Sequence, residues 1–173
     1  TSHHGRTQRM PLDPRSILGP DGAAARRLPR YEVRDEQLRM TDAVARAIDE
    51  GGHLVVEAGT GVGKSFAYLV PAIMAAVEQK KKVVVSTHTI ALQEQLLQKD
   101  VPFLRSIMPQ EFTAVLVKGR SNYISLRRLD GAAGRAGSTF NKPEEFDQLA
   151  EMKVWAGRSR DGSRSDLDFK PLP

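Results

Sequence analysis

The sequence predicts an α/β fold, a mostly parallel sheet with helices on both faces, and three observations predict it. From residue 31 to 130, short β-branched runs alternate with longer stretches of helical period. The turn after the first run, "EAGTGVGKS" at 57–65, sets glycines 59, 61 and 63 and one lysine between two apolar segments. Helical stretches standing between successive strands are crossovers, and crossovers make neighbouring strands parallel.

Residues 1–30 are rich in Arg, Pro and Gly and show no clear period. They read as an arm or linker, with turn signals at Gly19-Pro20 and Asp21-Gly22. The pattern changes at Tyr31. In "RDEQLRMTDAVARAIDEG", Leu38, Met40, Val44, Ala45 and Ile48 roughly follow a helical period, and Gly51 closes the segment. "HLVVEA" reads as a short buried strand, and "KSFAYLVPAIMAAVEQ" as a helix apolar on most of its surface that Pro71 should bend. "KKVVVSTHT" is a second strand, "IALQEQLLQKDV" a third helix and "TAVLVKG" a third strand. "SNYISLRRL" starts another helix and "GAAGRAGST" is a loop. "KPEEFDQLAEMKVWAG" is a helix with Phe146, Leu149, Met152 and Trp155 on one face, and "RSRDGSRSDLDFKPLP" is extended. The chain divides into an arm (1–30), an α/β core (31–130) and a helical insertion with an extended segment (131–173).

With 173 residues, the chain is long enough for one domain with a real core. It has no cysteine, which excludes disulfides, zinc–thiolate sites and cysteine nucleophiles within these residues and suits a reducing compartment. The longest apolar run, 66–77, is too short to span a bilayer and contains Pro71, and no signal peptide is visible, so a cytoplasmic location and no membrane partner are expected. The first residue is Thr1, which suggests a piece of a longer chain. Net charge is +5 and unevenly spread: residues 1–30 hold six arginines against two aspartates, and residues 31–62 seven carboxylates against three arginines. Residues 63–130 hold ten basic against five acidic residues, a surplus that favours a polyanion such as nucleic acid or is simply a solvated surface.

Strand, glycine turn, Lys-Ser and helix make up the P-loop order. The pattern G-x-x-x-x-G-K-[ST] runs through Ala58, Gly59, Thr60, Gly61, Val62, Gly63, Lys64 and Ser65, with alanine at its first position. Glycines let backbone N–H groups converge on phosphates without Cβ clashes, and the helix start adds its positive dipole end. Lys64 would reach the β- and γ-phosphates of ATP, and the Ser65 hydroxyl would ligate Mg²⁺.

The neighbouring segments "YEVRDEQLRM", "STHTIALQEQL" and "VLVKGRSNYIS", with "ILGPDG" and "VWAGRSRDGSRSDL", together resemble the DinG/XPD branch of superfamily 2 DNA helicases, from about Leu18 to the end. The resemblance implies a RecA-like P-loop sheet, incomplete here, and the ATP-binding part of a first motor lobe. It implies that Arg34 and Gln37 read the adenine edge, which a Gln amide suits with one donor and one acceptor. It implies that Thr87, Thr89 and Gln95 touch the backbone of single-stranded DNA, although threonines at a strand-to-helix junction also serve as helix caps. Lys118, Arg120 and Asn122 would add a basic rim to that track. Unwinding 5′ to 3′ is implied by the family alone. The departure is Ser125: iron–sulfur members carry a cysteine there, and serine does not replace a thiolate, so no iron–sulfur cluster is expected within this chain.

Turnover also needs an Asp-Glu pair at the end of a buried strand and an arginine from a second lobe. Glu144-Glu145 and Asp166 with Asp168 follow no apolar strand, so the remainder of the chain, including the second motor lobe, is an expected partner. Competing classes are a free-standing P-loop NTPase or kinase and a non-catalytic interaction module.

Overall fold

The computed structural model describes residues 13–169. These fall into two compact units, one ending at Leu116 and the other beginning at Val117. The expected arm is described only from residue 13, the earlier part lying outside the described residues. Residues 13–30 are not a featureless linker. They form α1 (Arg15–Leu18) and α2 (Ala23–Arg27), and Ile17, Leu18 and Ala24 are buried in the core of the first unit. The Arg15 guanidinium meets the Asp42 carboxylate at 2.6 Å and fixes where α1 lies on the next helix.

That helix, α3, spans Asp35–Glu50 and ends as its sequence foretells, with Gly51 in the left-handed region at φ 73°. Asp35 and Glu36 occupy its first turn, where carboxylates complement the helix dipole. It packs along α4 (Lys64–Glu78), which runs unbroken through the buried Pro71. Leu38 and Ala45 of α3 share a core with Leu69, Val70, Ile73 and Met74 of α4. A Leu, Val, Ile or Met side chain stabilises the unit by about 1.5–3 kcal/mol when fully withdrawn from water, and Ala45 by less.

The expected third helix is longer than its pattern and broken in the middle. It comprises α5 (Ile90–Gln95), a single π turn (Leu96–Asp100) and α6 (Val101–Ile107). Pro102 explains the irregularity, because it offers no N–H to the preceding turn and its ring crowds the carbonyl four residues back. Leu96, Val101 and Leu104 turn into the core.

The expected parallel sheet is not formed among the described residues. Segments 53–58, 81–87 and 113–119 carry no strand, because none of them finds the N–H and C=O groups of a neighbour to build a ladder. Their exposure nevertheless has period two. Val55 is 97% exposed between Leu54 at 42% and Val56 at 40%, and Val84 is 89% exposed between Val83 at 42% and Val85 at 40%. From Phe112 to Leu116, half-buried and exposed residues alternate one by one. This is the side-chain alternation of a strand, one side more exposed than the other, but the valine runs are exposed on both sides, so the buried strand expected at 53–58 is not buried here.

In the second unit, the stretch expected as a loop is helical: α7 (Leu126–Gly134) is followed by α8 (Ala136–Thr139). The last long helix, α9 (Pro143–Arg158), begins where Glu145 accepts from the backbone N–H groups of Asn141 and Lys142. Trp155 is buried and donates from Nε1 to the Asp166 carbonyl, and Leu149 and Met152 are half-buried, whereas Phe146 is exposed. The segment after α9 is extended only in part. It contains a 3₁₀ turn, Arg164–Asp166, and Ser163 forms an antiparallel bridge with Tyr123. Its last residues, 170–173, lie outside the described residues.

Candidate nucleotide and nucleic-acid sites

The glycine loop leads straight into α4. Gly61 and Gly63 sit at φ 83° and 81°, a region that side chains other than glycine enter at a cost, so these two positions explain their own residue type. Gly63 is the N-cap of α4, and the free N–H groups of the first turn face out of the helix end. The loop is open: a Cβ added at Gly59 or Gly61 would have nothing within 4 Å. Lys64 folds back into it, and its ammonium donates to the carbonyls of Ala58 at 3.0 Å and Gly59 at 2.6 Å. A cation held by loop carbonyls above a helix N-terminus fits a triphosphate, which would offer Lys64 better acceptors.

Gln37 closes the loop from the other side. It is 5% exposed, its Nε2 donates to the Gly63 carbonyl at 2.9 Å, and its own carbonyl accepts from the Thr41 hydroxyl at 2.7 Å. The Tyr31 hydroxyl lies 3.3 Å from Gln37 Oε1 and 3.0 Å from the Leu18 carbonyl, so its single proton serves one of them at a time. Burial pushes the Tyr31 phenol above its ordinary value, against the effect of Arg34. Arg34 is the N-cap residue of α3 and pairs loosely with Glu32 at 3.9 Å. The segment around Arg34 and Gln37 thus meets the phosphate loop across twenty-six residues of sequence.

Ser65 lies in the first turn of α4, and the π turn that packs against α4 ends in a residue the sequence did not single out. Asp100 ends the π turn, and its Oδ2 is buried with no hydrogen-bond partner. Burial raises the Asp100 carboxyl above the ordinary carboxylate range, while the side chains of Ser65, Lys99 and Gln95 favour its charged form. Burial likewise raises the Tyr68 phenol, on which the Ser65 hydroxyl also acts. A signal for Asp100 exists in the sequence. It stands four residues from each of Leu96 and Leu104, both buried, so it is a charge on an apolar row.

The residues expected on a DNA track divide between the two units. In the first, Thr89 caps α5, its Oγ1 accepting from the Leu92 N–H at 3.2 Å, and the Thr87 hydroxyl donates to the Thr89 carbonyl at 3.1 Å. Gln95 is exposed at the end of α5. In the second unit, Lys118 is 8% exposed and its ammonium donates to the hydroxyls of Ser163 at 2.9 Å and Ser165 at 2.5 Å. Arg120 is exposed, and Asn122 donates to the Gly119 carbonyl at 3.2 Å. Ser125 caps α7 by accepting from the Arg128 N–H at 3.4 Å. A cleft of about 930 Å³ beside it is lined by Arg120, Arg128 and Arg164 over Ile124, Leu129 and Trp155.

A family model described as DEAD/DEAH box helicase matches residues 38–157. The chain is 40% identical over 148 residues to the ATP-dependent DNA helicase YoaA of Escherichia coli, covering 86% of this chain and 22% of that protein. It is 41% identical over 146 residues to the ATP-dependent helicase DinG of Mycobacterium tuberculosis, covering 76% of this chain and 22% of that protein. It is 32% identical over 154 residues to a protein named 3′-5′ exonuclease DinG of Bacillus subtilis, covering 87% of this chain and 16% of that protein. The chain thus spans at most about a fifth of the length of these relatives. No helix among the described residues is long and apolar enough to cross a membrane.

Proposed function

The chain belongs to the DEAD/DEAH box helicases, and from that premise we propose that it forms the ATP-binding portion of a DinG-like DNA helicase. The observation that carries the reading is the phosphate loop itself, with Gly63 at positive φ capping α4, the Lys64 ammonium inside the loop and the Gln37 amide against it. The family match favours this reading over a free-standing P-loop NTPase or kinase.

On this reading, Lys64 leaves its two loop carbonyls for the β- and γ-phosphates, and the amides of Gly59 to Ser65 cradle the rest. Ser65 would hold a magnesium ion through its hydroxyl, and the ion would neutralise charge on the phosphate oxygens. Gln37, with Arg34 beside it, reads the adenine edge through its amide. Segments 53–58, 81–87 and 113–119 become strands of a parallel RecA-like sheet once partner strands from further segments pair with them; their period-two exposure supports this.

Hydrolysis is coupled to movement on single-stranded DNA and to unwinding of duplex, 5′ to 3′ by resemblance to the family, and the location is intracellular. Thr87, Thr89 and Gln95 meet the DNA backbone at the start and end of α5, and in the second unit Arg120 and Asn122 offer a rim of their own. Lys118 contributes to that rim by holding the Ser163–Ser165 turn, or directly if its ammonium leaves the two serines. The Asp-Glu pair and the second-lobe arginine come from further along a longer chain.

The test is Lys64→Ala in the full-length chain. It should abolish ATP hydrolysis and unwinding while leaving the circular dichroism spectrum and unfolding midpoint near the parent's. ATPase retained in a folded variant would remove the phosphate-loop assignment.

A further inference from the structure

Gln37 meets the phosphate loop with one end of its amide and a phenol with the other. Its Nε2 donates to the Gly63 carbonyl at 2.9 Å, and its Oε1 lies 3.3 Å from the Tyr31 hydroxyl. The same hydroxyl lies 3.0 Å from the carbonyl of Leu18, at the end of α1, where a helix leaves carbonyls over. One row of polar groups therefore runs from α1, through the turn before α3, to the N-cap of α4. Leu18 and Gln37 are buried and Tyr31 is half-buried. Packing does not require the phenol oxygen: the ring lies against the core, and Arg15 with Asp42 already ties α1 to α3. An oxygen set between a buried carbonyl and a buried amide has a task that phenylalanine could not perform.

The chemistry of the amide defines that task. A primary amide has two N–H groups and two lone pairs on its oxygen. The Gly63 carbonyl only accepts, so it settles which end of the amide is nitrogen and takes one N–H. The Tyr31 hydroxyl takes one lone pair, which leaves one N–H and one lone pair. Burial raises the phenol above its ordinary value, so the hydroxyl stays protonated and able to donate. Adenine presents an amino donor beside the N7 acceptor, whereas guanine presents two acceptors there. An amide pinned at both ends matches adenine and sets its oxygen against the oxygen of guanine. An amide pinned only at nitrogen can swing that oxygen aside. We propose that Tyr31 is a positioning residue for purine choice, its hydroxyl bridging the end of α1 to the Gln37 amide and holding that amide in the orientation that accepts adenine. The segment 13–30 is then part of the nucleotide site. This rests on the reading of Gln37 as the group that meets the adenine edge.

The experiment measures DNA-stimulated hydrolysis of ATP and of GTP by the full-length chain and takes the ratio of the two kcat/KM values. Tyr31→Phe keeps the ring and removes one oxygen. It should lower the preference for ATP at least about fivefold, chiefly by improving GTP. A role in folding alone would weaken both nucleotides together and leave the ratio where it was. Arg15→Ala loosens α1 without touching the phenol, so it should lower the unfolding midpoint and keep the ratio within about twofold of the parent. In a Gln37→Ala background, Tyr31→Phe should add nothing to the ratio, since it acts through the amide. A ratio within about twofold of the parent in Tyr31→Phe would overturn the proposal. So would an equal fall in Arg15→Ala, or effects that simply multiply in the double variant. If Gln37→Ala itself keeps the preference for ATP, the adenine reading fails and this inference with it. If Gln37→Ala abolishes the preference while Tyr31→Phe is silent, this inference alone falls.

Discussion

The Gln37 Nε2 donates to the Gly63 carbonyl at 2.9 Å, and a Cβ on Gly63 would lie 2.1 Å from that same nitrogen. The buried amide of α3 and the last glycine of the phosphate loop are therefore fitted to each other.

Gly63→Ala is the direct consequence. The alanine meets the strain of a left-handed backbone at φ 81°, about 1–2 kcal/mol, and it expels the Gln37 amide from its place. The expected result is a lower unfolding midpoint together with loss of nucleotide binding. Gly59→Ala is the control. Its Cβ meets nothing within 4 Å, so its stability should stay within about 0.5 kcal/mol of the parent, while a methyl group in the cradle weakens nucleotide binding. Equal destabilisation by both substitutions would show that the Gln37–Gly63 fit is not what makes position 63 sensitive.

Features that depend on neighbours in sequence were legible. The start of α4 follows from Gly-Lys-Ser after an apolar run, and the end of α3 follows from Gly51. Features that depend on distant partners were not. The valine runs have the composition and alternation of strands, but a ladder needs a second chain segment, and none pairs with Val55 or Val84 among the described residues. Glycines 131 and 134 read as a loop because each weakens a helix by about 1 kcal/mol relative to alanine. The Ser125 cap and the contact of α7 with α9 favour the helix there. Asp100 was hidden by the opposite error: a helical pattern running through 90–101 gave no sign of the π turn that ends in its buried carboxylate.

Asp100 gives stability a pH dependence with a definite sign. Its carboxyl is raised in the folded state, first by burial, so the unfolded chain ionises more readily. Its contribution to stability is complete below the unfolded carboxylate pKa and is lost as pH rises through the folded one. Asp100→Asn removes that loss. The variant should match the parent near pH 3 and exceed it increasingly toward pH 7, by no more than about 1 kcal/mol because the residue is only partly buried. Thermal unfolding across this pH range measures the difference, and a gap that shrinks with rising pH would contradict the assignment.

Contacts with DNA separate by charge. Arg120 is exposed and cationic, so Arg120→Ala should weaken binding to single-stranded oligonucleotides and flatten the plot of log affinity against log salt by about 0.7. Gln95 is exposed but neutral; Gln95→Ala should lower affinity and leave the slope unchanged. Neither variant should discriminate between oligonucleotide sequences, because backbone contacts carry no base information. Affinity and slope unchanged in both would remove these residues from the DNA track.

The 173-residue chain by itself is expected to bind nucleotide weakly and not to turn it over. The cradle, Lys64 and Ser65 supply phosphate contacts and one magnesium ligand. Phosphoryl transfer, however, depends on positioning the attacking water and on meeting the charge that develops as it attacks. On the reading above, the Asp-Glu pair that does the first is supplied from outside these residues. Lack of an arginine for the second costs about 10³–10⁵ in rate. The bare valines at 55, 84 and 115 also leave apolar edges open to association, so the isolated chain should aggregate more readily than a longer one that covers them. The measurement is ATP hydrolysis by the purified 173-residue chain, with and without single-stranded DNA, against the full-length chain. DNA-stimulated turnover near the full-length rate would mean that an acid already present does the work, and Glu57 at the entrance to the loop and Asp100 at the end of the π turn would be the two to replace first.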